Sequence, residues 1–257
     1  MNATVFSAKM NNVLADNAGR RRLGGQRSGQ WLDSQRLAMI PTGDRNIFSV
    51  AHARRWKKYA ITILSDMSGS MRNEERDFPC ADAIFKTANA LDPICNLRVY
   101  GFNVNLHPLN FKNIDMDSFS KNYHDACYND PGKNYDVNTH GNHDGYQVRI
   151  CTQELLHDPA PGKILMVFSD GRPHCDFNIS TRYKCEGAEC GSDRELSDNL
   201  RRSVTFALSN RVVLLSIGIQ TNAVFDFYPR KTTRMLSNTD LIYTTCADLL
   251  SENVERG

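Results

Sequence analysis

One short segment has the side chains and the spacing needed to bind a hard metal ion. Asp66, Ser68 and Ser70 alternate along the chain after an apolar, β-rich run at 59–64, and Gly69 allows a tight turn between them. A carboxylate and two hydroxyls are hard oxygen ligands, which suit Mg²⁺, Mn²⁺ or Ca²⁺ better than they suit soft metals. The segment therefore predicts a divalent-metal site.

A second aspartate stands at the end of another apolar run. Asp170 follows residues 164–168 and precedes Gly171, so it would supply a further carboxylate at the same edge if both runs are strands of one sheet. A simpler alternative is that Asp66 and Ser68 only cap a following helix. The occurrence of both aspartates at strand ends favours the metal site.

The runs that would position these residues alternate with helical patterns. Strands are expected at 59–64, 97–102, 164–168 and 212–219, with a short fifth at 241–243. Apolar side chains at helical spacing occupy the stretches between them and the C-terminus: Cys80, Ile84, Ala88 and Leu91; Val148, Cys151 and Leu155; Leu196, Leu200, Val204 and Leu208; Leu249, Leu250 and Val254. This alternation predicts an α/β fold with a doubly wound, mainly parallel sheet and helices on both faces. Ligands of such sheets bind at the carboxyl ends of the strands.

The segment from Asp66 to Met71 resembles the DxSGS signature of von Willebrand factor A (vWA) domains, and Ser169-Asp170-Gly171 resembles their third metal loop. The resemblance implies a Rossmann-like fold with a metal-ion-dependent adhesion site, in which the serines bind the ion directly and the aspartates bind it directly or through water. It also implies an open coordination position that a carboxylate of a partner fills. A binding module is therefore expected rather than a catalyst.

The second metal loop departs from the vWA pattern, which normally offers a threonine. Residues 136–145 contain two candidates, Thr139 and Asp144. The Asn-His-Asp-Gly segment at 142–145 is similar to one in the CobT subunit of aerobic cobaltochelatase, and this similarity puts Asp144 before Thr139 as the expected ligand. A second carboxylate beside the ion would make the ion less electrophilic toward an incoming acidic residue.

The similarity to CobT extends over most of the chain. It includes Cys80-Ala81-Asp82, Tyr100-Gly101-Phe102, residues 162–173, residues 215–219, the aromatic-basic segment 227–230 and the arginine-rich N-terminus. It implies a non-catalytic adaptor subunit that works with a ring-forming AAA+ ATPase of the CobS or MoxR type and with a large chelatase subunit or another client. The chain has no Walker A pattern, so it cannot itself supply the ATPase.

Two other functions stay open. The same metal site could serve a stand-alone vWA protein of structure or assembly that has no ATPase partner. Asp66, Asp144 and Asp170 around one cation could also act as a metal-dependent phosphatase or nuclease. Against this, no general base stands nearby in the sequence other than His140 and His143.

The chain is expected to divide into a basic N-terminal arm, residues 1–58, that packs on the domain, and the vWA domain itself, residues 59–257. Insertions are expected at about 103–138 and 174–192. A helix is predicted within the first, around 116–123, because a structureless loop of that length is rare. His124 and Cys127 in this insertion could be metal ligands or could have a structural role.

The sequence has eight cysteines and a net charge of +2, and both bear on further metal sites, on the compartment and on the partners. In the second insertion, His174, Cys175, Cys185 and Cys190 could hold Zn²⁺, although free thiols or a disulfide also fit their irregular spacing. We expect no signal peptide and no membrane span, and therefore place the chain in a reducing compartment, the cytoplasm of a bacterium or of a phage-infected bacterium. The modest charge gives no reason to expect a membrane or nucleic-acid partner.

Overall fold

The computed structural model describes residues 21–28, 31–33, 36–43, 45–52, 59–71, 75–128, 141–174, 192–237 and 242–254. The chain forms two compact units, Ala15–Lys57 and Met1–Leu14 with Lys58–Gly257. The smaller unit contains three antiparallel strands, β1 (Arg21–Gln26), β2 (Trp31–Leu32) and β3 (Phe48–His52), with β3 between the other two. No apolar run in the sequence predicts these short strands, and the packing of the arm on the domain stays a prediction.

The larger unit is built on a sheet of six strands among its described residues: β4 (Tyr59–Asp66), β5 (Asn96–Phe102), β6 (Leu106–Pro108), β7 (Gly162–Ser169), β8 (Val213–Ile219) and β9 (Thr233–Leu236). Their order across the sheet is β6-β5-β4-β7-β8-β9. Neighbouring strands are parallel except for β6, which is antiparallel to β5 at one edge. The chain leaves β4 toward β5 and returns on the other side at β7. The strand order therefore reverses between β4 and β7, which is where ligands bind in such sheets.

Helices cover both faces of this sheet. They are α1 (Asp77–Leu91), α2 (Met116–Tyr128), α3 (Asp144–His157), α4 (Asp193–Ser209) and α5 (Ile242–Val254). Ile61 and Ile63 of β4 belong to a core that includes side chains of α1, α2 and α5. Ala60 and Leu64 belong to the core on the other face, with side chains of α3 and α4. The predicted doubly wound α/β fold is confirmed, and burial on both faces explains the continuous apolar run of β4.

The secondary structure differs from the predicted one mainly at the sheet edges. The strands expected at 59–64, 97–102, 164–168 and 212–219 are β4, β5, β7 and β8, and the helix expected around 116–123 is α2. The strand expected at 241–243 is wrong, because Ile242 and Tyr243 begin α5. The outer parallel strand is β9 instead, whose four residues, including Thr233 and Arg234, are too few and too polar to show an apolar run.

Four cysteines whose side chains the structure describes agree with a role in the core. Cys80, Cys95, Cys151 and Cys246 are free thiols, and each is completely buried among apolar side chains. Within the same residues, no helix has both the length and the hydropathy needed to cross a bilayer.

Candidate metal centre

Asp66 is the last residue of β4 and is completely buried. Its Oδ1 accepts a 2.8 Å hydrogen bond from the backbone N–H of Ser68. Its Oδ2 accepts bonds from Asn142 Nδ2 at 2.6 Å and from Ser169 Oγ at 3.1 Å. Burial and then the charge of Asp170 raise the pKa of Asp66 to about 7, in spite of the hydrogen bonds. The fold therefore keeps a carboxylate where its negative charge is costly.

The two serines and Asp170 form a hydrogen-bonded row beside Asp66. Ser68 Oγ lies 3.1 Å from Ser70 Oγ, and Ser70 Oγ donates a 2.7 Å bond to Asp170 Oδ1. The turn expected at Gly69 is a 3₁₀ turn over Gly69–Met71. The two aspartate segments are thus in direct contact, although Ser70 and Asp170 are 100 residues apart in the chain.

Asp144 is the first residue of α3 and is also buried. Its Oδ1 has no hydrogen-bond partner among the described residues. Burial, followed by the charges of Asp66 and Asp170, raises the pKa of Asp144 well above its ordinary value. Asn142, two residues before Asp144, bonds to Asp66, so the structure brings Asp144 to the same edge of the sheet as the other two aspartates.

Gly145 lets the first turn of α3 lie against α4. A Cβ atom on Gly145 would come within 2.6 Å of the backbone nitrogen of Leu200 and 2.8 Å of the backbone carbon of Asn199. Real Cβ atoms do not approach backbone so closely, so only glycine permits this packing. The position of Asp144 thus depends on the residue that follows it.

Arg76, the residue before α1, places a cation beside this cluster. Its Nη1 donates a 2.8 Å bond to Asp170 Oδ2 and a 3.0 Å bond to the backbone carbonyl of Ser70. Its Nε donates a 2.8 Å bond to Gln220 Oε1. Burial, the largest effect, raises the pKa of Asp170, while Ser70 and Arg76 act to lower it. Among the described residues, Asp170 is the member of the aspartate cluster that has a cationic partner.

The side chains at this edge fit a hard divalent cation. Several buried polar atoms here have no partner within the described residues: Asp144 Oδ1, Asn142 Oδ1, both ring nitrogens of His143 and the Tyr228 hydroxyl. Buried polar atoms are nearly always hydrogen-bonded, so such a group is typical of a site that binds ions or water. In the part of the chain that the structure describes, no three His, Cys, Asp or Glu side chains could hold an ion by themselves. Serine hydroxyls would have to complete the coordination, and metal binding stays a prediction.

His174 is the member of the candidate zinc set that lies within the described residues. Its Nδ1 is 3.0 Å from Asp193 Oδ1. Its backbone pairs with Asn142 in both directions, through N–H···O bonds of 2.7 and 3.1 Å. The other candidates lie outside the described residues, namely Cys175, Cys185 and Cys190 for zinc and Thr139 for the second metal loop. The zinc site and the role of Thr139 as a ligand both stay predictions.

His124 contacts a carboxylate. Its Nδ1 lies 2.6 Å from Asp77 Oδ2, and its ring stacks on Phe78 with the ring centroids 5.0 Å apart. The side chain of Cys127 lies outside the described residues. Asp77 is completely buried, so its contact with His124 favours the structural role over the ligand role.

The sequence does not predict a functional role for four residues near the aspartates. Three of them, Asn142, Ser169 and Tyr228, lie in segments that are similar to CobT or to vWA domains, and the fourth, Arg76, lies in none. Ser169 is next to the predicted ligand Asp170, and this position is a sequence signal for its role. Arg76 carries no such signal, because an arginine before a helix is ordinary and its contact with Asp170 depends on the sheet order.

No protein-family model and no curated protein matches this chain. Solved structures match its fold. The pilus adhesin SpaC from Lactobacillus rhamnosus GG superposes with a TM-score of 0.52 and 14% identity, over 79% of this chain and 31% of that chain. The vWF domain of the type V pili tip protein Mfa5 from Porphyromonas gingivalis gives 0.51 and 10%, over 78% and 97%. Proximal thread matrix protein 1 from the mussel byssus gives 0.50 and 13%, over 76% and 47%.

These similarities show that the larger unit has the mostly parallel α/β fold of vWA domains. The identities are so low that the likeness is one of fold alone. The chain spans less than half the length of the mussel protein and of SpaC. The resemblance to CobT stays a prediction.

Proposed function

We propose that the chain is a metal-dependent protein-interaction module whose ion takes a carboxylate from a partner. The aspartate cluster carries this proposal. Asp66, Asp144 and Asp170 are all buried, and within the described residues Asp170 pairs with a cation, Arg76. Burying several acids together is costly, and a divalent cation would offset that cost. The fold shared with a pilus adhesin and a pilus tip protein supports a binding role.

The side chains would divide the work of holding the ion. A bound Mg²⁺, Mn²⁺ or Ca²⁺ supplies a positive, Lewis-acidic position that an anionic side chain can occupy. Ser68 and Ser70 would offer hydroxyl oxygens, and Asp144 would offer its unpartnered carboxylate oxygen. Both oxygens of Asp66 and both oxygens of Asp170 already accept hydrogen bonds, so these two aspartates would act through their charge or through water.

The proposed partner follows from the resemblance to CobT. It is a ring-forming AAA+ ATPase of the CobS or MoxR type in the bacterial cytoplasm. The chain would be its non-catalytic adaptor and would transmit ATP-driven motion to a client, such as a large chelatase subunit that inserts a metal. The alternative is a stand-alone vWA assembly protein without an ATPase, and the pilus proteins with the same fold keep it open.

Mn²⁺ binding, measured from the electron paramagnetic resonance signal of the free ion, tests the metal site. The wild-type chain should bind Mn²⁺, and Mg²⁺ should displace it. Asp66→Asn and Asp170→Asn should each weaken Mn²⁺ binding about 100-fold. Asp82→Asn is the matched control, because Asp82 is an aspartate of α1 that is paired with Lys86 and lies outside the cluster. Equal affinity in all four proteins would refute the site.

Affinity capture from a bacterial lysate separates the adaptor from the stand-alone protein. The wild-type chain is used with Mg²⁺ and with EDTA, and Asp66→Asn is used with Mg²⁺. Retention of a ring ATPase only by the wild type with Mg²⁺ would support the adaptor. Metal-dependent retention of other proteins alone would favour the stand-alone function. Partners that bind regardless of metal would contradict both.

A further inference from the structure

Arg76 contacts the metal centre without belonging to the expected ligands. Its Nη1 bonds to Asp170 Oδ2, while Ser70 holds Asp170 Oδ1. The side chain of Asp170 is completely buried, whereas that of Arg76 is 27% exposed. The guanidinium therefore lies between a buried carboxylate and the solvent.

The charge of Arg76 matters because the cluster is unusually acidic. When Asp66, Asp144 and Asp170 are ionised around a divalent cation, one negative charge remains in excess. An incoming carboxylate would meet that excess at short range, where the surroundings screen it poorly. The guanidinium of Arg76 cancels this excess, and so removes the penalty that a second-loop aspartate would otherwise impose on an acidic ligand.

The orientation of the guanidinium is fixed on two of its three nitrogens. Nη1 is held by Asp170 and the Ser70 carbonyl, and Nε is held by Gln220. The backbone of Gln220 is anchored, because its N–H donates a 2.7 Å bond to the carbonyl of Leu236 at the end of β9. Nη2 has no hydrogen-bond partner among the described residues. A planar guanidinium held in this way presents its remaining N–H groups in a fixed direction.

We propose that Arg76 is the residue that allows this acid-rich centre to accept a carboxylate. It neutralises the surplus negative charge, and its Nη2 donates hydrogen bonds to the incoming group while the ion holds it. The inference rests on the proposed function and narrows the ligand to an aspartate or glutamate side chain of a partner protein. A neutral carbonyl would gain much less from the same arginine.

Acetate is the probe for this inference. Its binding to the full chain loaded with Mn²⁺ is measured from the relaxation of the acetate methyl protons, and Mn²⁺ occupancy is matched by electron paramagnetic resonance. Arg76→Gln should lower the acetate affinity about tenfold while Mn²⁺ binds at least as tightly, because a competing positive charge is lost. Arg172→Gln is the matched control. Arg172 is two residues from Asp170 but pairs with the exposed Asp226, so its loss should change the acetate affinity by less than about twofold.

Arg76→Lys separates the two parts of the inference, because lysine keeps the charge and loses the planar fork. Its acetate affinity should fall between those of the wild type and Arg76→Gln. A value equal to the wild type would overturn the role of Nη2 and leave the charge role. Two results would overturn this inference and leave the proposed function intact. One is an acetate affinity in Arg76→Gln equal to that of the wild type, and the other is a loss of acetate affinity in Arg172→Gln as large as that in Arg76→Gln. Absence of Mn²⁺ binding by the wild type would overturn the proposed function as well. Circular dichroism and thermal unfolding in EDTA show whether each variant is folded.

Discussion

The sheet has buried aspartates near both ends of its central strands, and their surroundings differ. Near the amino ends of β5 and β7, the Asp158 carboxylate accepts bonds from Asn96 Nδ2 at 2.9 Å, Arg98 Nη2 at 3.0 Å and the Ala160 N–H at 3.0 Å. Burial opposes the charge of Asp158, but these bonds outweigh it and hold its pKa below the ordinary value. Lys163 also donates from Nζ to the backbone carbonyl of Asp158.

The cluster at the carboxyl ends has the opposite balance. There the pKa values of Asp66, Asp144 and Asp170 are raised, with burial as the largest cause in each. Both carboxylate oxygens of Asp158 accept hydrogen bonds from the protein. In contrast, Oδ1 of Asp144 has no hydrogen-bond partner among the described residues. Asp158 therefore stabilises the fold without an ion, whereas the cluster of Asp66, Asp144 and Asp170 is suited to an added cation.

The largest expected effect is that a metal ion stabilises the protein by binding at the carboxyl ends of the strands and not at their amino ends. Mn²⁺ at about 100 times its dissociation constant should raise the free energy of unfolding by about 2.7 kcal/mol. Asp66→Asn, with about 100-fold weaker binding, should reduce this increment to about 0.4 kcal/mol. Asp158→Asn should retain it in full, because Asp158 lies at the other end of the strands. Urea unfolding with Mn²⁺ and with EDTA measures the increment. An undiminished increment in Asp66→Asn would place the ion elsewhere.

Asp158→Asn should destabilise the metal-free protein by about 2 kcal/mol. The carboxylate of Asp158 accepts a charge-assisted bond from Arg98, and an amide would replace an acceptor with a donor that has no acceptor to meet. Urea unfolding in EDTA measures the loss. A change below about 0.5 kcal/mol would show that the network at this end is not stabilising.

Asp144→Asn should have the opposite sign and raise the stability of the metal-free protein by about 1 kcal/mol. The amide has nearly the same shape but removes the cost of a buried acid near Asp66 and Asp170. The same variant should lose the Mn²⁺ increment. Stabilisation of the apo form together with loss of metal binding is the combined result that checks this prediction. Destabilisation in EDTA would mean that the Asp144 carboxylate supports the fold.

The smallest effect is a dependence on pH at the Asp158 end. Because the pKa of folded Asp158 is lowered, its stabilising contribution is complete above its unfolded pKa of about 3.9 and is lost as the pH falls through the folded pKa. The difference in unfolding free energy between the wild type and Asp158→Asn should therefore shrink between pH 7 and pH 3 in EDTA. A difference that stays constant would show that the pKa of Asp158 is not lowered.

The sequence predicts the centre of the fold better than its edges. β4, β7 and β8 are long apolar runs because both of their faces are buried, and this property is visible in the chain itself. β6 and β9 have three and four residues, and they are strands because a neighbour pairs with them. An edge strand of that length leaves little pattern to read.

The same limit applies to the candidate centre. The sequence predicts the aspartates and serines because each group directly follows an apolar run. The structure brings Ser68, Ser70 and Asp170 together. Contacts such as Arg76 with Asp170 depend on the placement of β7 beside β4. No local pattern encodes those contacts, and they emerge only from the assembled sheet.

The backbone pairing of Asn142 with His174 has a practical consequence for reporters of binding. Asn142 lies close to the end of segment 129–140, and His174 directly precedes segment 175–191. The two residues that flank these segments are therefore paired where Asn142 also holds Asp66. The backbone amide hydrogens of Asn142 and His174 should exchange with solvent more slowly when an ion binds. Ion binding could then be followed by hydrogen exchange without altering any residue.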